Sequence, residues 1–182
     1  MKLILFLFVA TIANAKSEIK WDLSSGGVGP IKSDLKVTEK NLKKLFPGYE
    51  ITKGTITTEG EAVQDKYTIS KGAKSYVEIS NMGIDSPKMN VVTILDPEIT
   101  GPKGLHVGSS FSDLLKIDPK VSCIRQEEER SQQLVCQTEK FKKISFVIEV
   151  DPSEEATERF KKVGGPMKDH GRKIQQLIWW PS

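Results

Sequence analysis

The stretch GLHVGSSFSDLLK, Gly104 to Lys116, places His106 close to Ser109, Ser110 and Ser112. A histidine that can take a proton from a serine hydroxyl is the minimum equipment for acyl transfer by a nucleophilic serine. The strained elbow that presents such a serine reads G-x-S-x-G, because glycine is needed on both sides of the turn. Here the window is Gly108-Ser109-Ser110-Phe111-Ser112, and the second glycine is replaced by a serine. A structural reading accounts for every position instead. Leu105 and Val107 alternate with His106 as at the end of a strand, and Gly108 allows a turn with positive φ. Ser110 and Asp113 have the S-x-x-D spacing of a helix-capping box. Phe111, Leu114 and Leu115 then supply the apolar face of a short helix. The stretch predicts a strand-to-helix turn, and no catalytic residue is assigned.

The other candidates lie further apart. His170 stands beside Asp169 in a glycine-bounded segment, but it is far in sequence from His106, and the scattered carboxylates lack the clustered ligands that zinc requires. No metal or cofactor site is therefore expected. Asp151, Glu154 and Glu155 read as charges favoured at a helix start. Cys123 and Cys136 enclose a short loop, and in an oxidising compartment they read as one disulfide, stabilising by roughly 3 kcal/mol. Trp179 and Trp180 are adjacent in a strand-like run, so their side chains should face opposite ways. They form a possible binding surface, with packing beneath the N-terminal segment as the competing reading.

These residues must be carried by a scaffold, and its location is written at the N-terminus. Lys2 precedes the apolar run Leu3–Ile12, and Ala13-Asn14-Ala15 supplies the small residues of a cleavage site. This is the pattern of a secretory signal peptide over residues 1–15, cut before Lys16. The run is too short to cross a hydrocarbon core of about 30 Å. No other segment approaches spanning length, so no membrane span is expected and the product should be periplasmic or secreted. The formal charge of +3 includes Lys2 and is distributed as mixed short groups, such as EEER at 127–130 and KFKK at 140–143. Without a basic face interleaved with aromatics, a nucleic-acid partner is not supported.

Residues 16–30, rich in Ser and Gly, predict a flexible lead-in that Trp21 could tack onto a single domain over 31–182. VTEKNLKKLFPGY reads as a short helix capped by Thr38 and stopped at Pro47-Gly48. From Tyr49 the apolar period changes to two. YTISKGAKSYVEIS predicts a hairpin turning at Gly72, and MNVVTILD a central strand. LVCQ (134–137), ISFVIEV (144–150) and KIQQLIWW (173–180) read as further strands. The segment between the last two should form a turn or two of helix before Gly164-Gly165-Pro166. The fold class that follows is mainly β, an antiparallel β-sandwich-like single domain with two or three short helices.

Several of these elements carry a resemblance. Gly27-Val28-Gly29, the Gly48-Tyr49 pair, MNVVTILDPEI, VGSSFSDLL, the spaced cysteines, ISF and the final LIWW occur in order over about residues 27 to 180. In this the chain resembles the RpoE-regulated lipoprotein family of Gram-negative envelopes, whose function is uncharacterised. The resemblance implies a compact β-rich domain, no established enzyme activity and a link to envelope stress. The family's lipid-bearing cysteine is absent, so no lipid anchor is expected. The expectation is a non-enzymatic exported domain that binds an envelope protein or ligand. The alternatives are an inhibitor or interaction module for a periplasmic enzyme, resting on the EEER loop, and a hydrolase.

Overall fold

A computed structural model describes residues 19–57, 63–125, 133–149 and 171–181. The expected signal peptide, the EEER loop, and His170 with the segment around it lie outside the described residues.

The chain begins with three two-residue strands, β1 (Leu23–Ser24), β2 (Gly27–Val28) and β3 (Ile31–Lys32), forming a small antiparallel sheet. This differs from the expected flexible lead-in over 16–30. Its serines and glycines sit in tight turns, while Leu23, Val28 and Ile31 are fully or almost fully buried. Gly27 is required at its position: a Cβ there would lie 2.1 Å from the Ile31 carbonyl oxygen. The domain therefore starts before residue 31.

Helix α1 (Glu39–Leu45) begins where Thr38 Oγ1 accepts the Asn41 N–H at 3.2 Å, buries Leu42 and stops before Gly48, whose φ is 86°. The strands β4 (Glu50–Thr57), β5 (Val63–Lys71), β6 (Lys74–Asn81) and β7 (Met89–Ile94) follow as an antiparallel meander. Alternation is clear in β5, where Asp65, Tyr67 and Ile69 point inward. Gly72 turns the β5–β6 hairpin at φ 60°. Helix α2 (Phe111–Ile117) leads to β8 (Ser122–Arg125), β9 (Gln133–Gln137) and β10 (Ile144–Glu149), and β11 (Ile174–Trp179) follows.

The eight long strands form one antiparallel sheet in the order β4-β5-β6-β7-β11-β10-β9-β8. Thus β7 is interior, flanked by β6 and β11. One face carries the core, in which Ile69, Ile79, Ile94, Phe146, Leu177 and Trp179 meet Phe46 beside α1 and Phe111 and Leu114 of α2. Val28 and Ile31 of the small sheet belong to the same cluster. The mainly β, antiparallel, single-domain expectation holds, with two α-helices and short 3-10 turns at Pro102–Gly104 and Glu139–Phe141 among the described residues.

Candidate functional site

The serine-rich turn is held by the approach to β11. The Gly108 N–H donates to the Ile174 carbonyl at 2.7 Å, Ile174 N–H to Ser109 at 2.9 Å, and Phe111 N–H to Arg172 at 2.8 Å. Gly108 has φ 94°, a conformation that a β-branched residue resists. Ser109 Oγ accepts the His106 backbone N–H at 2.9 Å, and the imidazole donates from Nδ1 to the Val107 carbonyl at 2.8 Å. Ser110 is the N-cap of α2, its Oγ accepting the Asp113 N–H at 3.2 Å. The same hydroxyl donates to Asp113 Oδ2 at 2.6 Å, so the carboxylate closes the box on the cap's side chain instead of its backbone. That bond, followed by the one from Lys116, holds the Asp113 carboxyl below its ordinary range. Phe111 is fully buried beneath. The Ser109 and Ser110 hydroxyls and the imidazole here each bond to the local backbone.

Cys123 and Cys136 are directly opposed on β8 and β9 and joined as a disulfide. The two tryptophans separate as adjacent strand residues must. Trp179 is buried completely, its Nε1 donating to the Ser25 carbonyl at 3.3 Å, so it offers no binding surface. The small N-terminal sheet supplies its cover. Trp180 is half-buried on the opposite face, where Nε1 donates to Ser145 Oγ at 3.0 Å.

A second cluster, drawn from segments far apart in sequence, makes a better site. The Trp21 ring stacks with both Phe46 and Tyr76, with both centroid distances 5.3 Å and interplanar angles of 6° and 15°. Tyr49 meets all three rings edge-on, and the Trp21 Nε1–H donates to its hydroxyl at 3.4 Å. Beside these rings opens a cleft of about 160 Å³, bounded by Ile19, Trp21, Tyr49, Tyr76, Asp96 and Glu98 among others. Lys74 Nζ bridges the buried Asp96 carboxylate at 2.9 Å and the exposed Glu98 at 2.6 Å, and sits 5.0 Å from the Tyr76 ring centre. The carboxylates, Glu98 foremost, push the Lys74 ammonium well above its ordinary pKa. Burial raises the Tyr76 phenol despite the neighbouring lysine, so both stay protonated near neutral pH.

Each wall has a local cause. Phe46 and Tyr49 flank the Pro47-Gly48 stop of α1, Tyr76 lies on β6, and Asp96 follows β7, where its Oδ1 accepts the Glu98 N–H at 2.9 Å. Leu23 N–H donates to Thr100 at 2.9 Å, drawing Trp21 and its neighbours onto that loop. A ligand there would meet aromatic rings, tyrosine hydroxyls, carboxylates and an ammonium. Such a lining suits hydrogen bonding to a small polar group. Sequence reading noted only that Trp21 could tack down the lead-in; the cleft is invisible without the long-range pairing.

A model for a family described as a protein of unknown function, DUF1131, matches residues 15–155. The chain belongs to the DUF1131 family. Similarity to a solved member of the same fold extends further: the crystal structure of the uncharacterized protein yfeY from Escherichia coli superposes with a TM-score of 0.62 at 21% identity. The match covers 87% of this chain and 99% of that one. At that identity the likeness speaks for the fold alone. No curated protein matches the sequence. The described part of this DUF1131 chain contains no helix long and apolar enough to cross a membrane.

Proposed function

We propose that this DUF1131 protein is an exported, non-enzymatic binding domain of the bacterial envelope. In this reading a polar group of an envelope partner enters the cleft beside Trp21, Tyr49 and Tyr76. The observation that carries it is the cleft itself: a preformed aromatic and carboxylate-lined recess, held open by stacked rings and a doubly paired lysine. Rigid walls lower the ordering cost of binding. A leader cut before Lys16 and the paired cysteines support an oxidising compartment. A role in envelope stress rests on the resemblance to the RpoE-regulated lipoproteins, here without a lipid anchor.

Site-selective photocrosslinking in living cells tests this. A crosslinker replacing Ile19 or Glu98, at the cleft mouth, should yield a discrete adduct that one replacing Gln137, on a distant strand, does not. Tyr49→Ala should abolish the adduct while leaving the chain folded. Equal labelling from all three positions, or an adduct indifferent to Tyr49→Ala, overturns the assignment.

A further inference from the structure

No described strand covers the outer edge of β4. Among the described residues β4 pairs with β5 alone, in eight uninterrupted pairs from Glu50↔Ser70 to Thr57↔Val63, without a bulge or a proline. Natural sheets usually blunt such an edge with bulges, prolines or inward charges, because its free N–H and C=O groups template another strand; here the one inward charge, Lys53, is neutralised by Asp65 and Asp85. We propose that this edge joins a second copy of the chain, as an antiparallel β4–β4 pair about a two-fold axis normal to the sheet.

An axis at Lys53 or at Gly54, the two central residues of β4, pairs the most of the strand. Directly opposed residues on antiparallel strands share a face, so a two-fold pair must match residues of equal parity. An axis at Lys53 would set two ammonium groups against each other, which is destabilising. An axis at Gly54 sets glycine against glycine and opposes Lys53 to Thr55, Thr52 to Ile56 and Ile51 to Thr57. No like charges meet in that register, and β-branched residues line its flanks.

An independent feature lies above the same edge. The β6–β7 connection presents Met82 and Ile84 to solvent at 62% and 57% exposure, two of the three large apolar side chains left in the open among the described residues. It is firmly held: Asp85 N–H donates to the buried Asp65 carboxylate at 2.8 Å, Met82 N–H to Lys88 at 3.0 Å and Val37 N–H to Pro87 at 2.8 Å. Lys53 of β4 bridges Asp65 and Asp85 at 3.1 and 3.3 Å, fixing the connection over the β4 edge. A two-fold axis at Gly54 places both copies of this loop on one face of the joined sheet, one on either side of the axis. Two apolar tips that are wasteful on a monomer then have a shared purpose at the seam.

The decisive perturbation is at Gly54, where a Cβ meets nothing within 4 Å and φ is not left-handed. Its cross-strand neighbour within the monomer is Lys66. Gly54→Glu therefore suits the monomer but sets two carboxylates face to face across the proposed axis; Gly54→Lys sets two ammonium groups there. Sedimentation equilibrium of the processed, oxidised protein over a concentration series should show a doubling of mass for the parent. Each variant alone should remain monomeric with the parent's circular dichroism spectrum, and an equimolar mixture of the two should recover the dimer. Met82→Glu with Ile84→Glu should weaken dimerisation as well. A parent that is monomeric throughout, or variants that dimerise as the parent does, overturn the proposal. A mixture that stays monomeric overturns it too, because opposite charges at Gly54 would then not face each other.

Discussion

Replacing Trp21 with alanine should unfold the domain at a distinctly lower temperature. The ring stacks with Phe46 and with Tyr76, both at 5.3 Å, and meets Tyr49 edge-on. Full burial of an aromatic side chain makes its loss to alanine worth about 3–5 kcal/mol. Trp21 is partly buried, which places it near the lower end, at about 3 kcal/mol. For a domain of this size that corresponds to a fall in Tm of about 6–12 °C. Trp21→Phe keeps a ring in the stack and should retain most of the stability. A double-mutant cycle with Tyr76→Ala should return a coupling of about 0.5–1.5 kcal/mol, the value of an aromatic pair beyond its buried area. Far-UV circular dichroism during thermal and urea unfolding is the assay, since it does not depend on the fluorophore being removed. If Trp21→Ala melts at the parent's midpoint and the coupling vanishes, the N-terminal segment is not part of the cooperative core, and the cleft has no stable wall.

The disulfide should resist alkylation until reduced, and reduction should lower stability by roughly 3 kcal/mol or less, as read from urea midpoints before and after dithiothreitol. Ser110→Ala should cost about 0.5–2 kcal/mol through loss of the α2 cap, and Gly108→Val should be destabilising because its φ is 94°; unchanged midpoints for both would reopen a chemical role for the turn. The Asp113 carboxyl titrates below its ordinary 3.8 through its bonds to Ser110 and then Lys116. Its stabilisation is therefore complete above that value and is lost as pH falls through the lower folded-state value. Asp113→Asn should flatten this acid limb in a plot of Tm against pH.

What could be read from sequence was what is local. The cap at Thr38, the turn at Gly72 and the alternation through β5 and β6 are set by residues within a few positions of one another. The antiparallel, mainly β class followed from them. The small N-terminal sheet was not legible, because two-residue strands carry too little periodicity and their serines and glycines resemble a linker. Its order comes from Leu23, Val28 and Ile31 sinking into a core built by strands much later in the chain. The cleft was hidden for the same reason: Trp21, Tyr49, Tyr76 and Asp96 are unremarkable one by one, and only the sheet brings them together. Trp179 and Trp180 showed their opposite orientations in advance, but not which would be covered.

The position of β11 bears on how such a chain is made. This last strand lies between β7 and β10, pairing with Val92–Ile94 on one side and Ile144–Ile148 on the other. The meander from β4 to β7 and the ribbon from β8 to β10 can each zip from local turns as they emerge, but neither half can close on the other until Ile174–Trp179 arrives. Two provisional sheet edges wait meanwhile, at β7 and at β10, and long-range pairing of this kind is slow. A chain threaded N-terminus first through a translocation channel would hold these edges open until its final residues were released. If the chain is exported as proposed above, completion of the core waits on completion of export, and a chain cut short before Ile174 leaves two sheets with no strand to join them.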